Sequence, residues 1–539
     1  MAIVNTKISG LGWRHSLQNV VCAALVFLGF LMYANILHEA NNLPEPWFDD
    51  AFMYIRYAEN VNAGNGYCWN KEESPLFGCT DIAHVYLIAE AKKLLPTLSY
   101  ESITIWLPVI NYGILVLLLF SFFFRFCLVV YARKRFFIAA LISVGLLLNP
   151  VLFYHLFTGM DTVLSFTANT VLIMAMLVLE RKKTMPFALL AAVAAYLSWW
   201  VRLDNIFYAL VFPALFFIFF LWQEKKLLLT YWFSFAIFVL ADFFAKQLVF
   251  GEILPLPFYV KSSGFFTGYM GLADWNPISY LFLFIGGCWL WLILLFLFCK
   301  RQHAPMLAVF LVPLLFTLIY FFDAVQMMGS AARFYVPSIP FLLFPALMVV
   351  IKNSTAFQFQ KVHWVRLGVA LSFFTLCFLL EEGASEKFSH LFLRNEMPHL
   401  YASQIRKETV FPVYTEGGYD FFDFCAKLPE GTLVAASENG RLAAYNPHLR
   451  ILDLCGLHNS YFAHHGFSAS YLFKKRPAVI QLAHYNFTKI NFDIVNHPNF
   501  KSDYDFYPNL YGYGVAIRRN ETAVKKFFDA EVKVAYGLK

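Results

Sequence analysis

Two adjacent carboxylates, Asp49 and Asp50, stand in the stretch PEPWFDDAFMYIRYAENVNAGNGYCWN (44–70), just after the first long apolar run of the chain. A carboxylate beside a bound hydroxyl can take its proton, which is general-base chemistry. Cations that could hold a phosphate recur further on: Arg202 in RLDN (202–205), Lys261 in LPLPFYVKSSG (254–264) and Arg333 in MMGSAARFYVP (327–337). Arginine grips a phosphate by its fork and lysine as a point charge. Asp161 in LFTGMDT and Asp204 in RLDN add two more acids. Each residue also has a plainer role. Asp49 or Asp50 would N-cap a helix over 50–62 that AGNG ends. A cap needs one acid, however, and Asp49 shares a helical face with Met53 and Arg56. Arg202 and Asp204 would pair locally at a helix end, and Asp161 would cap the helix after it. Lys261 and Arg333 would be snorkelling anchors, although anchoring cations usually lie on the inner side.

The elements that carry these residues are membrane helices. The chain has 539 residues, 59% hydrophobic and 14% charged, where a soluble domain carries about a quarter charged. Runs of about 20 apolar residues recur over the first ~380 positions and predict about eleven spans. Their limits are 18–37, 105–130, 136–154, 162–179, 186–201, 205–222, 228–250, 279–299, 305–322, 335–351 and 363–380. The first run has no small-residue cleavage site after it and reads as a retained span, not a signal peptide. Basic loops at 131–136, 180–183, 223–226, 299–303 and 352–366 follow spans two, four, six, eight and ten. That alternation places the N-terminus in the cytoplasm. The net charge of +7 is then inner-side anchoring, not a nucleic-acid footprint.

This topology works as a filter. The loop 38–104, the loop 251–278 and the tail after 381 share the outer side, and every acid and cation named above maps there. Ionisable residues at membrane depth are costly and point to function. The tail loses its long apolar runs: TLVAAS and RILDL read as strands, and ASYLFKKRPAVIQLA as helix, turn and strand. The fold expected is a polytopic α-helical membrane domain over 1–383, with its catalytic loop at 38–104, and an α/β domain on the outer face over 384–539. Walker A, GxGxxG after a strand, HExxH and CxxC patterns are missing, which weakens nucleotide-dependent and zinc-dependent readings. The acidic loops leave room for a divalent cation, but no ligand spacing specifies one. Most of the nine cysteines lie in spans; Cys68 and Cys79 flank WNKEESPLFG in the long outer loop and would pair in an oxidising compartment, with Cys425 and Cys455 a weaker second pair. The chain reads as bacterial, so the sequons at Asn353, Asn486 and Asn520 are taken as chance.

FDDAFMYIRYAENVNAGNGYCWN followed by SPLFGCTDIAHVYLIA resembles the acid pair, R-Y-A-x-N helix, G-x-G turn and G-x-T segment of GT-C membrane glycosyltransferases. The match is closest to the group of mycobacterial terminal arabinofuranosyltransferases and related bacterial enzymes. FTGMDTVLSF, VRLDNIFYAL, LPLPFYVKSSG and RFYVPSIPFLL resemble further blocks in the same order, and VAASENGRLAAYNPHLRILDLCGLHN with KKRPAVIQL the outer domain; roughly residues 45 to 520 are covered. The resemblance implies an inverting transfer of a sugar, a pentofuranose in that group, from a polyprenyl-phosphate donor to a glycan, lipid or protein acceptor at the outer face of the bacterial inner membrane. It implies Asp49 or Asp50 as base, Asp49 first, and Lys261, Arg333 and Arg202 as donor-phosphate ligands. Arg56, Thr80, His84, Asp161 and Asp204 would wall the acceptor site, with His84 near a position where the family commonly has Trp. A transporter or flippase of a lipid-linked sugar is the competing reading; it favours inverted repeats and helices broken at the midplane, and no internal repeat is visible. A polymerase or ligase joining lipid-linked glycans shares the topology but lacks the acid pair in the first loop.

Overall fold

A computed structural model describes residues 12–128, 135–262, 277–323, 330–352, 369, 418–484, 487–508 and 510–536. In a bilayer every backbone N–H and C=O must find its partner within the protein, so apolar runs become helices. Six are long and apolar enough to cross unaided: Val20–Asn42, Tyr100–Arg125, Thr162–Lys182, Leu203–Phe220, Lys225–Phe250 and Arg301–Phe321. Two more are broken pairs, Phe137–Leu147 with Pro150–Leu156 bent by 62° and Tyr280–Gly287 with Trp289–Phe298 bent by 63°. Met185–Val201 and Val336–Ile351 are shorter apolar helices. Ten of the eleven expected spans thus fall on apolar helices. The eleventh, 363–380, lies outside the described residues apart from 369, as do residues 353–366 and the expected domain boundary at 383–384. The chain is a polytopic helical membrane protein with a C-terminal α/β domain. Large side chains such as Phe30, Phe233 and Leu240 remain 65–70% exposed, as a lipid-facing surface requires.

In chain order the first helices are α1 (Gly12–Asn42), α2 (Asp49–Asn62), α3 (Ile82–Leu94), α4 (Tyr100–Leu128), α5 (Arg135–Ile142), α6 (Pro150–Leu156), α7 (Thr162–Lys182), α8 (Met185–Val201), α9 (Phe212–Phe220), α10 (Lys225–Phe250) and α11 (Leu256–Ser262). The two breaks support each other. The Asn149 side chain accepts from the N–H groups of Val151 and Leu152 at the start of α6. Its amide donates to the Gly287 carbonyl at the other break, 2.8 Å away, so one residue serves backbone groups freed at both kinks. The α7 helix ends on Lys183 in the left-handed region and α10 on Gly251 at φ +69, both common C-terminal stops.

The C-terminal domain is a five-stranded sheet in the order β2-β1-β3-β5-β4. The strands are β1 (Leu433–Ala436), β2 (Arg450–Asp453), β3 (Val479–Gln481), β4 (Tyr504–Tyr507) and β5 (Val515–Arg518). The first three run parallel, with β1 in the middle, and β4 and β5 add an antiparallel edge. The strands expected at TLVAAS and RILDL are β1 and β2. The next segment is helix Ala469–Lys475, a turn at Arg476 with φ +54, and β3, as its pattern predicts.

This domain is fused to the first long loop. Phe421, Val434 and Ile451 of the domain share one apolar cluster with Tyr54, Tyr57, Trp69 and Phe77 of the loop. Trp69 is fully buried, and its indole donates to the Ile451 carbonyl. Asn70 extends the join in the manner of a strand, accepting from Ile451 N–H at 2.8 Å and donating to its carbonyl at 3.1 Å. Cys68 and Cys79 are free and buried; Cys68 Sγ points to the Asn65 carbonyl, so the expected bridge does not form. Cys425 and Cys455 are also free, because they sit in separate apolar clusters.

Candidate active site

Neither acid of the pair caps its own helix. Phe48 holds the N-cap position of α2 and supplies no side-chain bond, which places Asp49 and Asp50 in the first turn. Negative charge there is favoured by the helix dipole, so both carboxylates are tolerated side by side. Their surroundings then separate them. Asp49 reaches into the C-terminal domain, where its oxygens accept from the N–H groups of Gly440 and Arg441, each at 3.0 Å. The approach is so close that a Cβ on residue 440 would lie 2.2 Å from the Asp49 carbonyl oxygen, which explains the glycine. Burial, together with Asp50, outweighs these bonds and raises the Asp49 pKa. The Asp50 side chain is 32% exposed and meets only Arg333, at 3.7 Å, among the described ion pairs.

Asp50 is the open end of a buried chain of charges. Arg333 also donates to Asp161 at 3.3 Å. Asp161 in turn receives Arg202 at 3.4 Å, and Arg202 forks onto Asp204 with bonds of 3.0 and 2.9 Å. Arg202 and Arg333 both lie over the Phe334 ring, at 5.5 and 5.6 Å. Asp161 sits at the N-cap of α7 but makes no capping bond, so the capping role expected for it gives way to the arginines. Burying these charges is tolerable because each has an opposite partner. The loop that delivers Arg333 is strained: Ala331 and Ala332 stand at φ +51 and +58, a region costly for residues with a Cβ. His155 holds the turn by a 2.8 Å bond to the Ala331 carbonyl. Arg333 keeps its Nε buried without a partner.

Lys261, on α11, has an exposed side chain and forms no ion pair or hydrogen bond among the described residues. Enough protein nonetheless surrounds it to lower its ammonium pKa. Asp50, Arg333, Arg202 and Asp204 are the charges it feels.

The remaining candidates fall differently. Thr80 is half-buried. His84 is buried, with Nε2 3.1 Å from the Gly159 carbonyl and its ring edge-on to Tyr54 at 5.0 Å. Arg56 lies away from the charge chain. It is 1% exposed, and its three nitrogens donate to the carbonyls of Trp69, Ala443 and Leu449. It joins loop to domain and is not free to touch a substrate. Two residues of the site escaped sequence reading. Asp81 is fully buried and accepts the His84 N–H at the start of α3. Burial first, then Asp161, drives its pKa well up. Its place before the apolar run of α3 is an N-cap signal. Glu438 follows β1, where burial, then Asp49 and Asp50, push its pKa up to about 7. The signal for it was position, beyond the carboxyl end of a predicted strand. Among the described residues no three His, Cys, Asp or Glu side chains are grouped to hold a metal ion.

Beside the charge chain an apolar groove of about 420 Å³ opens between α3, α7 and α8, lined by Tyr86, Leu87, Leu164, Val171, Leu197 and Val201 among others. Val201 directly precedes Arg202, and the helix carrying Tyr86 begins one residue after Asp81.

No protein-family model and no curated protein matches the chain. Solved structures do. The chain is similar to ArnT from Cupriavidus metallidurans bound to undecaprenyl phosphate, at 11% identity and a TM-score of 0.53, over 95% of this chain and 99% of that one. The apo form of the same protein gives 12% identity, 92% and 98% coverage and a TM-score of 0.53. The apo oligosaccharyltransferase of Archaeoglobus fulgidus gives 12% identity, 93% and 75% coverage and 0.49. Over nearly its whole length the chain therefore shares the fold of the Cupriavidus metallidurans protein.

Proposed function

We propose that the chain is an inverting glycosyltransferase that moves a sugar from a polyprenyl-phosphate donor to a hydroxyl of a glycan, lipid or protein acceptor. The observation that carries this reading is the Asp50–Arg333–Asp161–Arg202 chain, with Lys261 close by, set at the head of an apolar groove. The groove suits part of a lipid tail, and Lys261 with the unpartnered Nε of Arg333 suits its phosphate. Asp50 is the base in this reading, in place of Asp49, because the Asp49 oxygens are already spent on two backbone N–H groups. As the acceptor oxygen attacks the anomeric carbon, its proton passes to Asp50. The bond from that carbon to the phosphate oxygen breaks, and the polyprenyl phosphate leaves with its charge held by Lys261 and Arg333. Attack opposite the leaving group inverts the anomeric centre. Asp161, Arg202 and Asp204 act by fixing Arg333.

The loop charges support a cytoplasmic N-terminus, a periplasmic C-terminal domain and a site at the outer face of the bacterial inner membrane. The sequence resemblance favours a pentofuranose as the sugar. For a transporter, the broken helices would form a midplane substrate site. The breaks here carry Asn149 and Gly287 and no charged residue, which favours the transferase. The test is binding of undecaprenyl phosphate to purified protein by native mass spectrometry. Wild type binds, and Lys261→Met and Arg333→Met each weaken binding at least about tenfold, one charge-assisted contact. Equal binding by all three contradicts the donor site.

A further inference from the structure

β1 ends at Ala436 with parallel partners on both sides, β2 on one and β3 on the other, so the chain winds away from this point in opposite directions. In open α/β sheets the crevice beyond the carboxyl ends of the strands at such a reversal is where ligands bind. Here Ser437, Glu438 and Asn439 occupy it, and the loop carrying the acid pair is pressed against it. Asp49 contacts Gly440 at 3.0 Å; Glu438 comes two residues before that contact and Asp50 one residue after it. That contact brings the backbones of residues 438 and 50 together, and Asp49 and Asp50 lie near enough to the Glu438 carboxyl to raise its pKa.

The other acids nearby are committed. Asp49 serves two backbone N–H groups, Asp161 two arginines, and Asp204 one. Asp453, at the end of β2, accepts from the N–H groups of Cys455 and His458. Glu438 is half-buried, has no ion pair among the described residues, and receives only a 3.4 Å bond from its neighbour Ser437. Next to it Asn439 is fully buried. It lies near enough to Asp453 to lower that pKa, yet neither its amide oxygen nor its nitrogen reaches a partner in hydrogen-bonding geometry. The crevice therefore holds hydrogen-bonding capacity that the protein does not use.

We propose that Glu438, carried by the C-terminal domain and set beside Asp50 by the Asp49–Gly440 contact, hydrogen-bonds hydroxyls of the acceptor and makes that domain part of the acceptor site. This rests on the glycosyltransferase reading. The raised pKa of Glu438 fits the role, since a carboxyl that is part-protonated near neutral pH can both donate to and accept from a hydroxyl.

The test uses full-length protein in detergent, undecaprenyl phosphate bearing a radiolabelled pentose, and membranes of a strain lacking the gene, which retain the unfilled acceptor. Glu438→Ala raises the apparent KM for acceptor membranes about tenfold, the scale of one hydrogen bond to a carboxyl. The KM for the donor lipid and the rate at saturating acceptor stay within about threefold of wild type. Should E438A fold poorly by size-exclusion chromatography, Glu438→Met, which keeps much of the volume and removes both strong hydrogen-bonding oxygens, takes its place with the same split expected. Transfer by wild type with an unchanged acceptor KM in the folded variant, or an equal loss on donor and acceptor, overturns the assignment of Glu438 alone. No transfer by wild type overturns the glycosyltransferase reading and this assignment with it.

Discussion

Asp49→Asn separates the two acids most sharply, because it changes one atom at a contact whose geometry is known. Each Asp49 oxygen receives one backbone N–H, Gly440 on one and Arg441 on the other, both at 3.0 Å. Asparagine keeps one oxygen and presents an NH2 group to the other N–H, donor against donor. A hydrogen bond to a charged group is worth about 1.5–3 kcal/mol, so docking of the 440–445 helix weakens by about that much. If the helix opens by leaving this contact, amide exchange in residues 440–445 accelerates roughly 10- to 150-fold, at 1.4 kcal/mol per tenfold. Hydrogen–deuterium exchange followed by mass spectrometry reads this directly. Asp50→Asn, whose carboxylate touches Arg333 and not the domain, leaves that exchange at the wild-type rate. Transfer activity divides the other way, reduced in D49N through loosened docking and lost in D50N. Unchanged protection in D49N, or accelerated exchange in D50N, refutes the division of labour between the two acids.

Other expectations concern the frame around the site. Gly440→Ala forces a Cβ to within 2.2 Å of the Asp49 carbonyl, so it undocks the helix and raises exchange at 440–445 beyond D49N. Trp69→Ala empties a fully buried site in the shared core and costs about 3–5 kcal/mol, seen as a lower melting temperature and as protease cleavage between loop and domain. Glu438 titrates near 7 in the fold and near 4.5 when unfolded, so the folded state binds more protons between these values. Stability then falls as pH rises from about 4.5 to about 7, and E438Q flattens that slope in melting scans. Asp453, raised to about 6, adds a fall of the same sign that remains in E438Q.

Much of the membrane domain was legible in the sequence because lipid leaves the backbone little choice. The bends within spans 136–154 and 279–299 were not, since hydropathy is blind to a break that Asn149 and Gly287 repair between them. The α/β pattern of the tail read correctly at β1, β2 and the helix before β3, where alternation and turn residues are local signals. Residue type and side of the membrane pick out the candidates, but their partners depend on tertiary contacts across hundreds of positions. Asp161 sits where a cap belongs yet serves Arg202 and Arg333, and Arg56 points into carbonyls of residues 443 and 449. The surroundings of Asp49 and Asp50 are separated by Gly440, almost 400 residues away and outside any local pattern.

The most direct test is transfer of radiolabelled sugar from a polyprenyl-phosphate donor to gene-deleted membranes by wild type and Asp50→Asn in parallel, with exchange at 440–445 confirming that both are folded. Loss of a general base lowers the rate about 10²- to 10⁴-fold, or roughly 3–5 kcal/mol of barrier. Wild type gives a product of inverted anomeric configuration, and D50N shows a loss in that range. D50N turnover within a few-fold of wild type, or a product of retained configuration, contradicts the proposed reaction.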